Sequence, residues 1–250
     1  MKKILVIGIG AGNPDYITMQ AVKALNQADV FFLMDKGQSK DKLIDLRREI
    51  CERYITDRDY RFVEAQSPER ERGDVDYTSS VDDLNLAKQR TFERLINELA
   101  DDQCGGFLVW GDPALYDSTI RILQAILAAG TCAFEFEVIP GITSVQALAA
   151  QHKVPLNQIG RSVEITTGRR LAAGQVSDAD CLVVMLDAQD AYHQVADQDT
   201  EIYWGAYLGT PDEILISGRL GDVADEIERV RKAARETNGW IMDTYLLRKP

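Results

Sequence analysis

Three glycine-bearing loops carry the residues most able to meet a ligand. The first is VIGIGAGNP, residues 6–14, with Gly8, Gly10 and Gly12 at alternate positions and Pro14 behind them. The second, WGDPALYDST (110–119), holds Gly111, Asp112 and Pro113. The third, IPGITS (139–144), holds Pro140 and Gly141, then Thr143 and Ser144. Glycine lets backbone approach a bulky group with no side chain in the way. Asp112 can accept hydrogen bonds from a hydroxyl or an amine. Thr143 or Ser144 can cap a helix whose first N–H groups are free. Each loop alone is also ordinary strand-to-helix turn chemistry. Three of them at the carboxyl ends of strands mark a ligand site, because that edge of an open α/β sheet is where ligands bind.

The first loop invites a dinucleotide reading, which needs G-x-G-x-x-G after a strand and an acidic residue about 20 positions on. Gly8 and Gly10 fit the first two positions, and Asp35 lies at a suitable distance. The third glycine is replaced by Asn13, and Pro14 follows, well placed in the first turn of a helix capped by Asn13. The match is therefore partial.

The elements that must hold these loops alternate. Strand-like runs occur at 3–8, 30–35, 60–65, 106–111 and 134–139, and helical periods at about 15–27, 39–53, 82–100, 118–129 and 143–152. Continuous apolar strands between helices predict a parallel sheet covered on both faces. FEFEVI (134–139) alternates, so it is expected to be an edge strand or to line a surface. KVPLNQIGRS (153–162) reads as a linker, and more strands with a long amphipathic helix at about 222–237 follow it. The expected fold class is α/β with two domains. Residues 1–152 form a mainly parallel sheet and 153–250 a mixed one. Residues 66–81 form a polar stretch, either a solvated loop or a lid.

Composition narrows the function. The net charge of −12, from 28 basic and 40 acidic residues, excludes a general nucleic-acid partner. No apolar run approaches the roughly 20 residues of a membrane span, and the glycine-rich start reads as a strand instead of a signal peptide, so a cytoplasmic protein is expected. Cys51, Cys104, Cys132 and Cys181 have no CxxC spacing and read as reduced core thiols. With two histidines, His152 and His193, no metal site is expected.

Taken in order, the three loops resemble those of the tetrapyrrole (corrin/porphyrin) methylase family. The marks are Gly8, Gly10, Gly12, Pro14 and Thr18 after the first strand, then GDP after a strand, then PG-x-T-S after another. VVML (183–186), YLGTPDE (207–213) and the EILISGRLGDV segment extend the likeness over the whole chain. The GIGAGNPDYIT opening, with Ala11, and the segments FFLMDKG, WGDPALYDST and GAYLGTPDE are similar to one branch of the family. In that branch precorrin-5 is methylated at C-1 and loses its acetyl group as acetate. The resemblance implies S-adenosylmethionine as cofactor in a cleft between the domains, a tetrapyrrole substrate and a homodimer. It places Gly111, Asp112, Leu115, Tyr116, Thr143, Ser144, Leu186 and Ala206 against the cofactor, and Gly10, Gly12 and Pro14 toward the substrate. A sister methyltransferase acting on another precorrin or on uroporphyrinogen, a nicotinamide-dependent oxidoreductase, and a non-catalytic relative remain alternatives.

The implied reaction requires water to add to the acetyl carbonyl, so it needs a base and an oxyanion stabiliser. Asp35, Tyr16 and Asp117 are candidates at loop ends on the right edge, with a cap, a surface turn or packing as their ordinary roles. Arg58, Arg61, Arg70, Arg72 and Lys36 can meet substrate carboxylates. Their interleaving with Asp57, Asp59, Glu69 and Glu71 favours a solvated surface instead.

Overall fold

The first strand, β1 (Lys2–Gly8), sends alternate side chains to opposite faces. Ile4 and Val6 pack with Phe92, Leu95 and Ile122, while Leu5 and Ile7 pack with Ala21, Leu25 and Ile50. Both faces are covered, which is why the strand is apolar throughout. The computed structural model describes residues 1–35, 41–68 and 77–250.

After β1 come α1 (Met19–Leu25), β2 (Val30–Asp35), α2 (Asp41–Tyr54), β3 (Arg61–Gln66), α3 (Tyr77–Asn97), β4 (Cys104–Val109), α4 (Thr119–Ala129) and β5 (Phe134–Ile139). The five strands form one parallel sheet in the order β3-β2-β4-β1-β5. FEFEVI is an edge strand, the first of the two positions its alternation allows. β4 lies between β2 and β1, so the connections leaving β1 and β4 run in opposite directions. That reversal makes the crevice between β1 and β4 a topological switch point.

The second sheet has the order β6-β7-β10-β8-β9 and is mixed. It comprises β6 (Val163–Thr167), β7 (Cys181–Met185), β8 (Glu201–Ala206), β9 (Ile214–Arg219) and β10 (Asp243–Arg248), with α5 (Ser144–His152), α6 (Gly168–Ala172) and α7 (Leu220–Asn238). Of the neighbouring pairs, only β6 with β7 is parallel.

The chain divides into two compact units, Met1–Gly10 with Pro14–Ile142, and Ala11–Asn13 with Thr143–Pro250. The division falls ten residues before the 152/153 boundary that the linker composition suggested. The reason is α5. Ser144 Oγ lies 3.1 Å from Thr244 Oγ1, and His152 Nε2 lies 3.0 Å from the Trp204 carbonyl, so the helix packs on the second sheet.

Helix starts differ in detail from expectation. Pro14–Tyr16 is a short 3-10 turn, and α1 begins only at Met19. Its cap is Thr18, whose Oγ1 accepts the Ala21 N–H at 3.0 Å, in place of Asn13. Thr18 has the extended backbone a cap requires and directly precedes α1, whereas Asn13 lies ahead of the 3-10 turn. Among the described residues, no helix is long and apolar enough to cross a membrane. The four cysteines are buried and unpaired.

Candidate active site

In the first unit the three glycine loops meet at the switch point. Gly10 and Gly111 form an isolated bridge, the Gly111 N–H donating to the Gly10 carbonyl at 2.8 Å. A Cβ on Gly8 would lie 2.6 Å from Gly141 N and 2.9 Å from Gly111 O. A Cβ on Gly141 would sit well inside 3.0 Å of Gly111 O, closer than real Cβ atoms come. Three backbones thus touch where no side chain fits, which is the physical reason for Gly8 and Gly141.

Asp112 ties this cradle together. Its Oδ2 accepts the Gly141 N–H at 2.8 Å and its Oδ1 accepts the Ala114 N–H at 2.7 Å. The sequence suggested a carboxylate offered to a ligand. The structure shows it bracing the second loop against the third. Thr18 Oγ1 also reaches the Pro140 carbonyl, at 3.4 Å, which draws the first loop to the third.

Gly10 and Gly12 have positive φ, +85° and +143°. A side chain on Gly10 would meet Tyr16, and one on Gly12 would meet the Leu208 carbonyl. Their spacing therefore answers to the chain's own packing.

Asp117 Oδ1 accepts the Thr119 N–H at 2.7 Å and so caps α4, while Ser118 makes no side-chain cap bond. Asp117 also borders a cavity with Arg47 and Lys88. Tyr116 is 43% exposed with φ +53°, a conformation uncommon for a bulky residue. Tyr16 closes the 3-10 turn after Pro14. Asp35 ends β2, and its side chain lies outside the described residues, as do Lys36, Arg70 and Arg72. Arg58 pairs with Asp29 and also donates to the Asn26 carbonyl at 2.6 Å, which makes it a structural residue. Arg61 opens β3 on the exposed surface.

In the second unit, β10 lies between β7 and β8 and runs against both. The carboxyl ends of β7 and β8 therefore come together at the start of β10. Leu186 follows β7, Ala206 ends β8, and Ser144 contacts Thr244 at the same edge. Thr143 is buried and spends its hydroxyl on capping α5, accepting the Val145 N–H at 3.1 Å. Ala206 is fully buried, so its methyl does not reach the surface. Leu186 is 63% exposed with φ +54°. An exposed leucine held in a left-handed conformation is strained, and such strain gathers at functional sites.

What holds Leu186 was not foreseen from sequence. Next to it, the buried Asp187 carboxylate accepts the Gln189 N–H at 2.9 Å, the Ala191 N–H at 2.7 Å and the Tyr245 hydroxyl at 2.7 Å. Arg231, also buried, donates to the Asp187 carbonyl at 2.5 Å and to Asp243 Oδ2 at 2.8 Å, and pairs with Asp190 at 3.2 Å. Trp204 Nε1 donates to the same Asp243 oxygen at 3.0 Å. The available signal was Arg231 on the apolar stripe of α7, between Ile227 and Ala234.

The tetrapyrrole (corrin/porphyrin) methylase family model matches residues 3–224. The chain belongs to the tetrapyrrole methylases. It is 54% identical over 250 residues to a precorrin-6A synthase [deacetylating] of Sinorhizobium sp, covering 100% of this chain and 96% of the relative. A solved protein from Corynebacterium diphtheriae, described as cobalamin synthesis related (CobF), superposes with TM-score 0.82 at 35% identity, covering 99% of this chain and 98% of that one. A uroporphyrin-III C-methyltransferase from Thermus thermophilus, solved with S-adenyl homocysteine, superposes with TM-score 0.61 at 18% identity, over 98% and 91% of the two chains, and shares the fold. The methylase sheet order also separates the chain from the dinucleotide fold. There β1 and β2 are neighbours, whereas here β4 intervenes.

Proposed function

We propose that the chain is an S-adenosylmethionine-dependent C-methyltransferase of corrin ring (cobalamin) biosynthesis. It methylates precorrin-5 at C-1 with loss of acetate, giving precorrin-6A. The full-length likeness to the Sinorhizobium enzyme named for that product carries the reading. The cofactor reading is supported by Leu186, which offers an exposed apolar surface in a left-handed conformation. Gly111, Leu115 and Tyr116 would hold the cofactor in the first unit, with Asp112 bracing their loop. Thr143, Ser144, Leu186 and the strand at Ala206 would hold it in the second. Gly10, Gly12 and Pro14 would border the tetrapyrrole. The cofactor supplies a sulfonium-bound methyl group, for which positioning is most of the catalysis.

Deacetylation asks more of the chain. Water adds to the acetyl carbonyl, the C–C bond to C-1 breaks, acetate leaves, and the electron pair stays on C-1 to take the methyl group. Of the three candidate bases, Asp117 stands beside a cavity with cations, so it is assigned the water, with Tyr16 and Asp35 as further candidates. Asp117→Asn is expected to slow acetate release by at least ~100-fold, within the range of general-base catalysis. Its affinity for S-adenosylhomocysteine stays near wild type. Full acetate release by this variant removes Asp117 from the role.

Calorimetry with S-adenosylhomocysteine, with NADH as control, tests the cofactor. Binding of the first and not of the second is expected, and binding of NADH alone would return the chain to the oxidoreductases. Turnover of precorrin-5, against uroporphyrinogen III, separates the proposal from a sister methylase. The homodimer and the cytoplasmic location belong to the same reading, and light scattering of the purified protein tests the dimer.

A further inference from the structure

A cavity of about 160 Å³ opens in the first unit where β2 and β4 end. One water needs only about 10–15 Å³ of such space, so the cavity takes a ligand of several heavy atoms. Its polar lining is rich in donors. Arg47 spends Nε on the Leu108 carbonyl at 3.1 Å and one Nη on the Leu43 carbonyl at 2.7 Å, and its other Nη has no partner among the described residues. The Lys88 ammonium has one long bond, 3.4 Å to Ser118 Oγ, and no ion pair among the described residues. The Trp110 indole N–H is buried with no partner among the described residues. An unmet buried donor of this kind costs about 1–3 kcal/mol unless an acceptor arrives.

Charge points the same way. Burial lowers the pKa of both cations, Arg47 to about 10, with Asp117 opposing the shift. At about 10, Arg47 stays charged at neutral pH. Among the described lining residues, the basic side chains of Arg47 and Lys88 outnumber the single Asp117 carboxylate. Phe32, Phe92 and Phe107 form an apolar wall on the same cavity. The occupant that satisfies unmet N–H donors, an excess of basic side chains and an aromatic wall is a small anion with acceptor oxygens and an apolar end.

We propose that this cavity is a carboxylate subsite in which Arg47, Lys88 and the Trp110 N–H receive the carboxylate and the phenylalanines receive its carbon end. The carboxylate is either free acetate or a carboxylate-bearing arm of the tetrapyrrole. Which of the two it is rests on the function proposed above; the binding chemistry does not.

The test follows the Trp110 indole N–H by ¹⁵N–¹H spectroscopy of the full chain, assigned with Trp110→Phe, during titration with sodium acetate against sodium chloride. For free acetate, a saturable shift of Trp110 is expected, with Trp204, already bonded to Asp243, unmoved. Lys88→Gln then weakens the apparent affinity by at least ~10-fold, and Arg47→Gln serves if that variant does not fold. For a substrate arm, acetate leaves Trp110 unmoved, while Lys88→Gln raises the KM for precorrin-5 by at least ~10-fold with kcat and S-adenosylhomocysteine affinity retained. An unmoved Trp110 together with an unchanged KM, or with no turnover to measure, overturns the proposal. Failure of the wild type to bind S-adenosylhomocysteine would overturn the functional reading instead, and the acetate shift would still be read.

Discussion

Replacing Gly141 with alanine is expected to weaken S-adenosylhomocysteine binding by at least ~100-fold and to destabilise the first unit by about 1–3 kcal/mol, the usual cost of overpacking. The new methyl group would collide with the Gly111 carbonyl and with the backbone of Gly8. None of these atoms belongs to a flexible side chain, so relief requires moving backbone. The same movement breaks the 2.8 Å bond from the Gly141 N–H to Asp112 and with it the brace on the second loop. Gly130→Ala supplies the contrast. Gly130 caps α4 with φ +67°, but nothing lies within 4 Å of its absent Cβ. It should cost only the left-handed penalty of about 1–2 kcal/mol and leave cofactor affinity alone. Calorimetry of both variants decides the matter, and wild-type affinity in Gly141→Ala would show that the cradle plays no part in binding.

The second large effect is expected at Arg231. Arg231→Met leaves the Asp243 carboxylate buried and without its ion-pair partner, and breaking a buried pair in this way costs about 3–5 kcal/mol. The Asp187 carbonyl and Asp190 lose a donor as well, so the loop carrying Leu186 loosens. Lysine should restore only part of the loss, because one ammonium cannot replace a guanidinium bonded on several sides. A pH signature separates this from simple loss of packing. Burial already raises the Asp243 carboxyl above its usual value, although Arg231 and Trp204 hold it down and Asp187 opposes them. Without Arg231 the rise is larger. A carboxyl raised in the folded state contributes stability that is full below its unfolded value of about 3.9 and is lost as pH climbs through the folded value. The deficit should therefore be smaller at pH 5 than at pH 8, read by urea unfolding through the fluorescence of the buried Trp204. A loss below ~1 kcal/mol, or one equal at both pH values, would contradict the network's role.

Local patterns were legible in the chain before folding was considered. Apolar runs and helical periods mark strands and helices because alternation and the helical repeat are properties of neighbouring residues. The alternation of FEFEVI allowed its edge position in the same way. The ordered glycine loops, together with VVML and YLGTPDE, were specific enough to indicate the family, and the family model and the Sinorhizobium relative agree with them. Boundaries were less legible. Composition placed the domain break at 152/153, yet α5 packs on the second sheet through Ser144 and His152, contacts made with residues 100 and 52 positions away.

Contacts distant in sequence account for everything else that had to wait for the fold. The insertion of β4 between β1 and β2 pairs segments far apart in the chain, and no single segment encodes it. Whether Asp112 serves a ligand or its own chain depends on Gly141, 29 residues further on. Arg231 takes its role only where Asp187, Asp190 and Asp243 surround it. A side chain's type states what it can donate or accept. Its burial and its partners, set by packing between segments far apart in the chain, determine which of those capacities is used.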